Sequence, residues 1–195
     1  WQTVCGFKSP PTQSPKPLPA MLDDQTTMTD LVKRHLISDL KLIDTLTTQF
    51  ELVHTDNDNW TKTYLDKDKN EKWLSYYVDG AQHGGGNKIL GKLPLPSTDK
   101  LIDIAINSES EDEVFAACRT LTNNEELKKQ DFRLSLIDKL EVIHDKERRK
   151  RVIELTGLSS PLNRQDILGK NSRQIESDAY YYKRIAERAD NLKRQ

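Results

Sequence analysis

No stretch of this chain approaches the roughly 20 consecutive apolar residues that a membrane-spanning helix needs, so no transmembrane segment is expected. Cysteine is scarce, with two in 195 residues; Cys118 lies in an apolar helical pattern, where a free thiol behaves as a small hydrophobe, so no structural disulfide to Cys5 is expected. Charge of one sign is also missing. The formal net charge of -1 gives no general attraction to nucleic acid or to an anionic surface. The four histidines, at 35, 54, 83 and 144, are scattered, and neither H-E-x-x-H nor a paired C-x-x-C occurs, so no metal and no cofactor is implied. The acidic clusters DNDN and DKDKNE lack the glycine and terminal glutamate of a calcium loop.

What is present is enough for a folded domain, since a core becomes self-sufficient above about 70–80 residues. Charged residues make up 31 % of the chain and apolar residues 35 %, the balance of a soluble protein. Residues 5–20, CGFKSPPTQSPKPLPA, carry prolines at 10, 11, 15, 17 and 19, which forbid a helix and leave almost nothing to bury. Two readings stay open: a plain linker, or a tether holding the domain off a membrane from a lipidated Cys5. The start at Trp1 carries the expectation of a removed leader or a trimmed end. Cytoplasmic location is expected from the free-thiol reading of Cys118, with a membrane-tethered periplasmic lipoprotein anchored at Cys5 as the alternative.

Residues 1–27 are thus read as a proline-rich tether, 28–96 as a helix plus antiparallel sheet, and 97–195 as a helical region in one folded unit with it. From Thr29 or Asp30 as N-cap, Leu31, Val32, His35, Leu36, Leu40, Ile43 and Leu46 recur at helical spacing. After Thr47 the period shortens. Residues 50–55, 60–65 and 72–78 alternate or are rich in aromatic and β-branched types, separated by turn-forming acidic clusters, which reads as a three-stranded antiparallel meander. Trp60, Trp73, Tyr76 and Tyr77 are shared between its faces, leaving one or two large aromatics for the surface.

Residues 76–105 hold most of the glycines and two partial motifs. His83, Gly84, Gly85 and Gly86 match the HGGG string that supplies oxyanion-hole amides in some esterases, yet no G-x-S-x-G elbow occurs to provide the nucleophile. Residues 86–92, GNKILGK, have P-loop spacing but place Leu93 where Ser or Thr would hold magnesium, and Pro94 and Pro96 deny the following helix a start. Sharp turning at Gly84, Gly85 and Gly86 accounts for the glycines without chemistry.

From Ser97 onward the pattern is a series of short capped helices. Ser97 opens TDKLIDIAIN, Ser110 with Glu113 makes a capping-box pattern, Asn124 or Asp131 starts a segment through residue 143, and Ser172 caps a last helix to Asn191. HEAT-like layering fits this succession, without a strict repeat. Tyr180, Tyr181 and Tyr182 face different ways on that last helix, which makes Tyr181 a candidate partner contact. The basic run at residues 145–151, DKERRKR, spreads around a helix and lacks aromatic stacking partners, so nucleic-acid binding is not expected.

The order of aromatic strands, glycine turn, LPLPSTDKLIDIAINS and DEVFAACRTL over residues 50–140 resembles immunity proteins of bacterial polymorphic toxin systems. That resemblance implies a helix-rich α+β domain that binds and neutralises a toxin without turnover. The expectation is therefore a non-enzymatic protein-binding protein, with Trp60, Trp73, Tyr76, the turn at residues 83–86 and Tyr181 as candidate contacts and no catalytic residue. The alternative is a hydrolase or phosphate-binding enzyme built on the turn at residues 83–86.

Overall fold

Local chemistry dictates where most elements of the computed structural model begin and end; it describes residues 33–80 and 85–195. Two acidic loops make the first case. Asp56 Oδ1 accepts from the Asp58 and Asn59 amides at 3.0 and 3.1 Å, and Asp66 Oδ1 accepts from the Asp68 and Lys69 amides at 3.0 and 3.3 Å. Each aspartate nucleates a turn through its own side chain. The turns reverse the chain between β2 (Glu51–Asp56), β3 (Thr61–Asp66) and β4 (Glu71–Val78).

The sheet is larger than the three strands expected. β5 (Asn87–Lys92) and the short β1 (Leu36–Ile37) extend it to five, in the order β1-β5-β4-β3-β2, with antiparallel pairing throughout. β5 is the segment with P-loop spacing, and it is a strand rather than a loop feeding a helix. Its Gly91 serves packing: a Cβ there would meet the Leu95 side chain at 2.7 Å and the Leu36 side chain at 3.2 Å.

The helix expected from Thr29 through Leu46 also changes. Residues 29–32 lie outside the described residues, Leu36 and Ile37 are in β1, and the helix α1 spans only Leu40–Gln49, capped by Asp39. Tertiary contacts override the helical spacing here. Glu113 Oε1 accepts from the His35 amide at 2.6 Å and the Leu36 amide at 3.3 Å, and Asp112 Oδ1 accepts from the Ser38 amide at 3.0 Å. Those amides find carboxylates at a helix start instead of carbonyls in their own turn.

Five further helices follow among the described residues: α2 (Thr98–Asn107), α3 (Glu111–Lys128), α4 (Arg133–Val142), α5 (Lys146–Thr156) and α6 (Ser172–Arg194). Ser97, Ser110, Asp145 and Asn171 each accept a backbone N–H as N-caps. Gly157, at φ 62°, ends α5 in the left-handed geometry that favours glycine. Asn124 starts nothing, because α3 runs on to Lys128 and ends at Lys129 in a left-handed conformation. The helices pack in a bundle, α2 on α3, α3 on α5, and α6 on both α4 and α5. The fold is helix-rich α+β.

Strand alternation divides the sheet's side chains between two layers. Val78, Ile89 and Leu36 join Ile102, Val114, Ala117, Cys118, Leu121 and Ile137 in the main core. Trp73, Tyr64, Leu90 and Ile37 occupy positions of the other face, and α1 packs against β2 and β5, contributing buried Ile43 and Leu46. Phe50 stacks on Trp73 with ring centroids 6.2 Å apart. One buried ion pair ties the bundle together. Arg133 donates Nε to Glu125 Oε1 at 2.6 Å and its NH2 nitrogen to Oε2 at 2.9 Å, while its guanidinium lies 5.0 Å from the Tyr182 ring centre.

Candidate functional site

α1 covers only part of its sheet face. Beyond it, towards the tip of the β2–β3 hairpin, the described residues leave the face open as a trough of about 440 Å³. Its plan follows from the ladder. Thr55 pairs with Lys62, Lys62 with Ser75 and Ser75 with Leu90, and in the next row Tyr77 pairs with Lys88. Continued outward by two residues, the β3–β4 register brings Trp60 opposite Tyr77. Both aromatics border this trough and an adjoining cavity of about 620 Å³ whose rim includes Gly80 and Gly85. The small Ser75 and the buried Tyr64 make the floor.

Trp60 is the unusual member. It is 77 % exposed and has φ 55°, a conformation that costs an L-residue about 1–2 kcal/mol and is a genuine outlier for a bulky side chain. The other hairpin loop shows what the position prefers. Both loops have four residues, at 57–60 and 67–70, and in the second the corresponding left-handed position is Asn70, at φ 52°. Asparagine enters this region readily. Trp60 gains neither burial nor backbone comfort where it stands.

The charged side chains lining the trough are Lys62, Lys88 and Asp56. Lys62 makes no ion pair among the described residues, and Lys88 Nζ lies 3.3 Å from Asp44 at the edge of α1. Among the described lining residues the one carboxylate, Asp56, is already engaged: Asn59 Nδ2 donates to its Oδ2 at 2.8 Å, besides the two amides on Oδ1. The Asn59 side-chain bond, with that amide's own, holds the Asp56 carboxyl below its ordinary range. At the far end Asp79 is clamped, accepting from Asn87 Nδ2 at 2.9 Å and Arg119 Nε at 2.7 Å. That clamp fixes the base of the β4–β5 connection to α3.

The candidate contacts separate in three dimensions. Trp60 borders the trough. Trp73 is 4 % exposed and belongs to the core under α1. Tyr76 faces the helices: its hydroxyl is 3.0 Å from Thr120 Oγ1, and burial pushes its pKa up to about 12. Its neighbour Tyr77, on the opposite face, is the aromatic that reaches the surface, which a definite strand phase would have revealed. Tyr181 is half-buried, donating to Asp131 Oδ2, whereas Tyr180 is 61 % exposed. His83 and Gly84 lie outside the described residues. Gly85 is exposed at the cavity rim, and Gly86 has φ 59° with the Val78 carbonyl oxygen 2.4 Å from where a Cβ would stand, so no other residue fits there.

Among the described residues no group of three or more His, Cys, Asp or Glu side chains is placed to hold a metal ion, and no helix is long and apolar enough to cross a membrane. Comparison with protein-family models, with curated proteins and with solved structures returns no match to this chain.

Proposed function

We propose that this protein is a non-enzymatic binding protein that captures a macromolecular partner on the open half of the sheet, with Trp60 and Tyr77 as its anchors. The observation that carries the reading is Trp60 itself. A large aromatic held exposed, in a left-handed conformation that Asn70 adopts at lower cost in the twin loop, brings the free fold no net stability. Anchors of protein interfaces are enriched in tryptophan and tyrosine, which bring large apolar area with little rotamer entropy. Backbone strain of this kind clusters at ligand clamps.

Affinity capture from native lysate, compared across wild type, Trp60→Asn, Tyr77→Ala and the remote surface variant Tyr180→Ala, tests the reading. Wild type and Tyr180→Ala retain the same partner, and the two trough variants lose it. Equal retention by all four removes the proposal. Toxin neutralisation is the finer proposal, resting on the sequence resemblance. Its test is co-expression with the product of a neighbouring toxin gene, where wild type rescues growth and Trp60→Asn does not.

A further inference from the structure

The lining of the trough points to one partner chemistry. Beside the hydroxyls of Thr55, Thr61 and Ser75 and the Asn57 amide, which both donate and accept, it offers Lys62, the Trp60 indole N–H and the Tyr77 hydroxyl, with Lys88, paired to Asp44, at the rim. Its one carboxylate, Asp56, is occupied by its own turn. A ligand that suits this surface supplies acceptors and apolar ring surface and brings few donors of its own. Proline-rich backbone has that character, since each proline has a carbonyl and no N–H, and polyproline II geometry leaves the carbonyls unpaired. Proline rings also dock in aromatic-lined grooves without losing much conformational entropy.

Direction and length agree with this. The trough runs across the strands from β2 to β5, so its walls are side chains rather than a free backbone edge, and pairing as an added strand is not what it offers. Three inter-strand steps of about 4.8 Å make a track of about 14 Å. At about 3.1 Å per residue that is four or five residues of polyproline II. Lys62, unpaired among the described residues, adds charge complementarity to an acidic side chain. An oligosaccharide presents hydroxyl donors that find only neutral acceptors here, because Asp56 is engaged by its own turn. A nucleic acid needs several unpaired cations, and of the two lysines in the lining only Lys62 lacks an ion pair among the described residues.

We propose that the trough binds an extended, proline-rich acidic segment of a partner protein, with a proline ring against Trp60 and Tyr77 and a carboxylate at Lys62. This rests on the reading of the open sheet face as the binding surface. The test is titration of the isotope-labelled full chain, followed by amide and indole NMR signals, with Trp60→Asn assigning the Trp60 indole. The probe is a blocked peptide of repeating Pro-Pro-Glu; controls replace Pro by Ala or Glu by Lys, and a neutral glucan oligosaccharide is tried separately. Saturable shifts are expected at the Trp60 indole and at the Lys62, Ser75 and Tyr77 amides, with both control peptides about tenfold weaker or worse. Lys62→Glu reverses the preference between the Glu and Lys peptides.

No saturable shift at Trp60 with millimolar probe overturns the proposal, and so does tighter binding of the alanine peptide or the oligosaccharide. The two failures are distinguishable. If the probe does not bind but Trp60→Asn still abolishes capture of the native partner, the surface stands and its chemistry is wrong. If Trp60→Asn captures the partner normally, the surface itself is wrong.

Discussion

Replacing Trp60 by asparagine exchanges a strained residue for one suited to its backbone, and the stability change can be worked from the structure. At 77 % exposure, contact with the protein removes only about 50 Å² of the side chain from water. At about 25 cal/mol/Å², losing that contact costs about 1 kcal/mol, an upper figure because unfolded chains are not fully extended. Against it, asparagine relieves about 1 kcal/mol of the left-handed strain. The two terms offset, so Trp60→Asn falls within about 0.5 kcal/mol of wild type and shifts Tm by less than about 2 °C. Trp73→Ala, at 4 % exposure on the same sheet, costs about 3–5 kcal/mol. Urea unfolding followed by far-ultraviolet circular dichroism compares midpoints independently of the lost fluorophore. The reciprocal variant Asn70→Trp, at a nearly identical φ, destabilises by about 1 kcal/mol. A cost above about 2 kcal/mol for Trp60→Asn would show that Trp60 is a packing residue and remove the argument for a binding role.

Three further outcomes follow from buried or coupled groups. Glu125→Leu or Arg133→Met alone costs about 3–5 kcal/mol by stranding the buried charge of its partner, whereas the two changes together recover most of the loss; additivity of the single changes in urea titrations would contradict this. Burial pushes the Cys118 thiol up to about 12, so at pH 8 alkylation at Cys118, read by mass spectrometry, proceeds only through unfolding; modification within minutes of the native chain counts against the buried placement. The carboxyl of Asp103 is held below its ordinary range by Lys100 Nζ at 2.9 Å and Asn107 Nδ2 at 2.8 Å. Its stabilisation is present above about pH 4 and is lost as pH falls through the folded value. Asp103→Asn therefore costs about 0.3 kcal/mol at neutral pH and nothing in strong acid, and a cost independent of pH would contradict the assignment.

Several elements of the fold are legible because their signals are local. The caps Ser97 and Ser110 each bond the amide three residues on, and Gly157 ends α5 by its own backbone freedom. The acidic loops at residues 57–60 and 67–70 close on their own aspartates, so the β2–β3–β4 meander is readable. Less was legible at the site. Periodicity marked residues 72–78 as a strand, but without its phase relative to the helices it left Tyr76 as a candidate and did not single out Tyr77. The same uncertainty chose Tyr181 over Tyr180. In both pairs the adjacent residues face opposite or divergent ways, and a one-residue choice exchanges core for surface.

By itself the sequence determined the class of the molecule, α+β with a hairpin sheet followed by capped helices, because turns, caps and periodicity act within a few residues. Tertiary structure alone decided that Leu36 and Ile37 are a strand, since carboxylates 74 to 78 residues away take the amides of this segment. It also decided that residues 86–92 are a strand and that α1 stops short of Trp60 and Tyr77. Each of these depends on which distant surface arrives to bury an apolar face or satisfy an amide, and a local pattern of side chains carries no record of that choice.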